Sequence, residues 1–146
     1  GTPPTADTSA LGAPVQAAAT TEVTGGTLAA GTYYYKIVAV NALGVSLGSN
    51  EISQVTTGVL STVTTNWAAV TGATGYRVYR GTAAGAQSTY FTVGAVVTYV
   101  DTGTAGTAGT VPVANTSALV PPVQSAPSVS APGVVTAASV GVFTDA

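Results

Sequence analysis

Apolar and polar positions alternate along this chain in short runs divided by glycine, proline and small polar residues. The period is two, and no helical period of 3.6 is evident. The strongest run is Tyr33 to Asn41, read as Tyr-Tyr-Tyr-Lys-Ile-Val-Ala-Val-Asn. Aromatic and β-branched residues suit a pleated strand and serve a helix poorly. Alternation sets Tyr33, Tyr35, Ile37 and Ala39 on one face, with Tyr34, Lys36, Val38 and Val40 on the other. Three adjacent tyrosines are bulky, so one of these faces needs a second sheet to bury against. Asn41 to Gly44 reads as a turn, and Ser49 to Thr57 as the hairpin partner.

The remaining runs follow the same rule. Val15 to Val23 reads as an edge strand, because Pro14 at its start cannot donate to a ladder. Thr62 to Val70 puts Val63, Thr65 and Trp67 on one face. Tyr76 to Arg80, Ser88 to Val93 and Val96 to Val100 are shorter strands, and Asp101-Thr102-Gly103 closes the last with an Asx-type turn. Seven short strands at this spacing predict an all-β fold, a seven-stranded sandwich.

The flanks carry a different text. Gly1 to Gln16 is rich in Pro, Thr and Ala and predicts an extended arm. The same text returns at Gly109 to Gln124, offset by 108 residues, with 11 of 16 positions identical. The ordered match, including Thr-Ser-Ala-Leu, reads as a seam between repeated units. The alternative is convergence of linker composition. The expected organisation is an arm or seam at 1–14 and a sandwich at 15–104. Residues 105–146 read as a linker, the repeated seam, and an arm or the start of a further module, with one or two strands in Val134 to Phe143.

Leu28-Ala-Ala-Gly-Thr-Tyr-Tyr-Tyr-Lys-Ile-Val-Ala-Val-Asn41 and Trp67-Ala-Ala-Val-Thr-Gly-Ala-Thr-Gly-Tyr-Arg-Val-Tyr-Arg-Gly81 resemble fibronectin type III modules. The resemblance implies an immunoglobulin-like sandwich in which Tyr33 forms the tyrosine corner and Trp67 is the core tryptophan. Tyr76 and Val78 would then face inward. Thr98 to Gly103 resembles the strand that normally precedes the corner motif. The motif order is rotated, because the corner motif precedes the tryptophan motif. Close termini make such a permutation tolerable. Rotated, Thr/Ala/Gly-rich modules of low charge resemble those of tailed-bacteriophage virion proteins. Similar modules occur in secreted bacterial enzymes and surface proteins.

Composition narrows the chemistry. Three basic and five acidic residues make 5% of the 146, with a formal net charge of −2, against roughly 25% charged residues in ordinary domains. So little charge gives weak repulsion between copies and favours close lateral packing. Three basic residues cannot neutralise a phosphate track, so no nucleic-acid partner is expected. No apolar run approaches the roughly 18 residues of a membrane span, so no membrane partner is expected either. Cysteine and histidine are both absent, which removes the usual nucleophile–base pairs and thiolate metal sites. Glu22, Glu51 and Asp101 stand alone, outside any catalytic or calcium-binding pattern. The expectation is no enzyme, no cofactor and no metal.

What remains is contact. Tyr33, Tyr35, Ile37, Trp67, Tyr76 and Val78 are the expected core. Tyr34, Lys36, Val38, Arg77 and Tyr79 would share the outer face of neighbouring strands. Tyr and Arg are enriched at interface hot spots. The plain alternative is a cross-strand ladder on a solvated sheet. The expected role is a structural virion protein of a tailed bacteriophage: a capsid-decorating, fibre or tail module. Its partners would be other virion subunits or copies of itself, in a homo-oligomer or repeated array. The alternative is an accessory binding module, carbohydrate-binding for example, of a bacterial surface or secreted protein.

Overall fold

The computed structural model describes residues 10–118. The expected arm at 1–9, and everything expected of 119–146, lie outside the described residues. The described chain is all-β, without a helix. Its strands are β1 (Thr20–Glu22), β2 (Gly31–Val40), β3 (Ile52–Thr56), β4 (Thr62–Asn66), β5 (Gly75–Gly81), β6 (Thr89–Val93), β7 (Thr98–Asp101) and β8 (Thr107–Ala108). They form two antiparallel sheets, ordered β1-β4-β7 and β3-β2-β5-β6-β8. The two-residue β8 is one strand more than the alternation predicts, because the Ala/Gly/Thr text around it has no period of two. It exists only by pairing with Thr89 and Tyr90 of β6.

The period-two reading of β2 explains the layers. Tyr35, Ile37 and Ala39 are fully buried toward the second sheet. Register places them opposite Arg80, Val78 and Tyr76 of β5. The three-stranded sheet answers with Val63 and, just past β4, Trp67. Two aromatic pairs cross between the layers. The Trp67 and Tyr76 rings meet edge to face at 5.3 Å, and Phe91 stacks on Tyr99 at 5.2 Å. Such pairs add about 0.5–1.5 kcal/mol each beyond the area they bury. Tyr33 is only half-buried at the margin of this core, and its hydroxyl donates to the Ala29 carbonyl at 3.1 Å.

Residues before β1 also belong to the core. Leu11 and Pro14 are buried. Gln16 bridges to Trp67 in antiparallel fashion, extending the ladder past the end of β4. The edge strand expected over 15–23 is therefore interrupted: a bridge at Gln16, then β1 at Thr20.

Candidate contact face and the polar tie between sheets

The inner face of β5 carries a charge. Alternation turns Tyr76, Val78 and Arg80 inward together, and Arg80 ends beside Asp101 at the close of β7. The Arg80 Nη1 donates to both Asp101 oxygens, at 2.8 and 3.0 Å, and Nη2 donates to the Thr104 carbonyl. The Tyr35 hydroxyl donates to Asp101 Oδ2 at 2.7 Å. Gly103, at φ 89°, turns its N–H back to Oδ1 at 2.9 Å. Asp101 thus caps its turn, as its sequence context suggests, and also receives Arg80 and Tyr35 from the opposite sheet. A fully buried carboxylate that accepts four hydrogen bonds from three donors is satisfied, and it ties the two layers together.

Burial, and then the Asp101 carboxylate, push the Tyr35 phenol far above its ordinary value of 10.0. Burial and Asp101 raise Tyr99 as well. The unfolded chain therefore releases these protons first as pH rises. Stability held below about pH 10 is lost above it, at up to about 1.4 kcal/mol per pH unit for the buried Tyr35, with Tyr99 acting in the same direction. We expect urea unfolding between pH 9 and 11 to give a shallower alkaline loss for Tyr35→Phe than for the native chain. Equal slopes would show that Tyr35 titrates alike in both states.

On the outer face the register sets Lys36 opposite Tyr79, and Val38 opposite Arg77. Tyr79 pairs with Tyr90 of β6 at 5.2 Å, and the Arg77 guanidinium lies 4.9 Å from the Tyr90 ring. Tyr34, Lys36, Arg77 and Tyr90 are half-buried. Val38 and Tyr79 correct the expected open ladder: they are 0% and 2% exposed. Other segments of the chain lie beside and against this sheet. Residues 45–49 run along β2, with Ser46 N bonded to Ala39 O and Ser49 N to Ile37 O. Gly48 lies against Val111, Gly109 against the Tyr90 ring, and Gly81 against the backbone at 86–87. Between these strips lies a groove of about 420 Å³ lined by Lys36, residues 85–88, Thr110, Val111 and Val113. Glu51 holds two of the lining residues by accepting from Gly85 N and the Gln87 amide. Among the described residues, no group of three or more acidic side chains comes together as a metal site would require.

The two ends of the described chain meet. Thr116 N donates to Val45 O, and Asn41 Nδ2 to the Ser117 carbonyl. The Leu11 N–H donates to Ser117 Oγ at 2.7 Å, and Asn115 Nδ2 to the Leu11 carbonyl at 2.8 Å. No sequence reading anticipated this clasp or the Arg80–Asp101 tie. The second had a signal: an arginine in phase with Tyr76 and Val78 faces inward and requires an anion.

No family model matches this chain, and neither a curated protein nor a solved structure matches it.

Proposed function

We propose that this chain is a structural module that works by contact between copies and neighbouring subunits, as a component of a tailed-phage virion: a decorating, fibre or tail element. The observation that carries the reading is where its few charges lie. Arg80 and Asp101 are paired with each other between the sheets, and Glu51 accepts from Gly85 N and the Gln87 amide at the surface. Glu22, Lys36 and Arg77 are the other charged side chains within the described residues. A surface so poor in charge has little to hold copies apart. It suits dense packing. The proposed fold is a fibronectin type III-like sandwich of rotated motif order. The β2–β5 pairing, the Tyr33–Ala29 hydrogen bond and the inter-sheet Trp67 support it.

One observation favours a second reading, a carbohydrate-binding accessory module. The groove beside Lys36 offers Gln87, Ser88 and Thr110 as polar partners, with Tyr90 near by against Gly109. Sedimentation and electron microscopy of the full chain over rising concentration and salt separate the two. Ordered particles that persist at high salt support contact between apolar, uncharged faces. A monomer at every concentration that binds a glycan panel overturns the first reading and favours the second.

A further inference from the structure

The repeated seam is used by halves. Of the first copy, the described part supplies Leu11, Pro14 and Gln16, all buried, while Gly12, Ala13 and Val15 are exposed. Of the second copy, the described part supplies Asn115, Thr116 and Ser117, which clasp Leu11 and Val45. The halves outside the described residues are the complementary ones in sequence. Asp7-Thr8-Ser9 aligns with Asn115-Thr116-Ser117, and Leu119 to Gln124 aligns with Leu11 to Gln16. The second half repeats the buried positions without change: Leu119, Pro122 and Gln124 stand for Leu11, Pro14 and Gln16. Its two differences, Val120 and Pro121, fall where Gly12 and Ala13 are exposed.

We propose that Leu119 to Gln124 is a second plug for the slot that Leu11 to Gln16 fills, and that it seats in that slot on another copy of this chain. The inference rests on the reading that copies assemble, and it names the segment and the slot that join them. The slot's chemistry accepts any segment with these side chains. Main-chain bonds run from Ala17 N to Asn66 O and from Ala68 N to Val15 O, which ask only for an extended backbone. Specificity comes from Gln16, whose Nε2 reaches Tyr35 O, Ser49 Oγ and Asn50 O, and from Leu11 packed into the core beside Gly72. Gln124 and Leu119 carry the same groups. The exit point also fits. Ser117, two residues ahead of Leu119 in the sequence, accepts from the Leu11 N–H, so the tether of the second plug is anchored at the mouth of this copy's slot. The first plug holds that slot through its tether, so exchange between copies is nearly neutral in contacts and is governed by concentration. Each copy then offers one slot and one plug, which joins copies head to tail.

The test uses the full chain and sedimentation velocity. Leu11→Ala weakens the resident plug, and association should rise to multiples of the monomer mass at concentrations where the native chain is a monomer. Leu11→Ala/Leu119→Ala should return to the monomer. Association by the double variant equal to that of Leu11→Ala overturns the proposal, as does a folded Leu11→Ala that stays monomeric. Should Leu11→Ala fail to fold, a photo-crosslinking residue in place of Val120 decides the matter in an otherwise native chain. Mixed heavy- and light-isotope copies should crosslink between copies at residues 70–74, beside the Leu11 site. Crosslinks confined to one copy, or to other surfaces, overturn it. Ordered assembly that survives Leu119→Ala/Gln124→Ala removes the plug but leaves the contact reading standing; a native chain that never assembles removes both.

Discussion

Asp101→Ala is expected to lower the stability of this protein by about 3 kcal/mol, measured as the shift of its urea unfolding midpoint. The loss is large because the substitution strands two donors rather than removing one bond. The Arg80 guanidinium would remain only 15% exposed with no counter-charge, and the Tyr35 hydroxyl would be buried with no acceptor. Breaking one side of a buried pair costs more than the pair contributes, since the partner's desolvation is left unbalanced. The low end of the usual range applies, because Arg80 keeps some water and its bond to Thr104. Two further variants separate charge from geometry. Asp101→Asn keeps an acceptor for Tyr35 and leaves Arg80 unpaired, so it should fall between the native chain and Asp101→Ala. Arg80→Met/Asp101→Asn removes the stranded charge and should recover much of the loss. If Asp101→Ala unfolds within about 0.5 kcal/mol of the native chain, water reaches the pair and it does not tie the sheets together.

The same cluster shows where reading from sequence reaches and where it stops. Period two assigned the faces of β2 and β5, because a strand with one buried side cannot slip by one residue without turning its tyrosines to solvent. It set Tyr35 and Ile37 on one face of β2 and Lys36 on the other; that the first is the core, with Val78 inward and Arg77 outward, was implied by the resemblance to fibronectin type III modules. A face is a local property; what covers it is not. Val38 and Tyr79 are buried although they face away from the second sheet, where Val111 lies against Gly48 and Gly109 against the Tyr90 ring. Nothing in Ala/Gly/Thr text announces that it will be laid down there. Asp101 read correctly as a turn cap from Asp-Thr-Gly, but its pairing with Arg80 depends on β7 lying across from β5, which is a fact of topology. Leu11, Pro14 and Gln16 lie in text read as arm and strand start, because Pro and Ala between them hide the buried positions. The repeat at 109–124 was legible as an identity between two lines of sequence. That Leu11 of one copy of the repeat meets Asn115 and Ser117 of the other required the ends to be seen together.

Trp67→Ala is expected to cost about 3–5 kcal/mol, a large share of the roughly 5–15 kcal/mol that holds a domain of this size. Trp67 is 5% exposed and joins the layers through its edge-to-face contact with Tyr76. Alanine would open a cavity beside Leu11, Val70 and Ala73 as well, since all pack in the same cluster. The informative comparison is Trp67→Phe. The Trp67 Nε1–H is buried with no hydrogen-bond partner among the described residues, so the indole serves here by its rings alone. Phenylalanine gives up the smaller ring and with it a donor that folding desolvates without return. The lost packing and the relieved donor oppose each other, and the net loss should be only about 1 kcal/mol. Thermal unfolding followed by far-ultraviolet circular dichroism checks both variants, since indole fluorescence disappears with the residue. A Trp67→Phe loss as large as that of Trp67→Ala would mean that the N–H finds a partner in solution. Gln16, bridge-paired to Trp67, carries another buried atom without a partner among the described residues, its Oε1. A small loss for phenylalanine and a large one for alanine would establish that the two sheets are held at this point by ring volume, with Arg80 and Asp101 supplying the directional bond at the other.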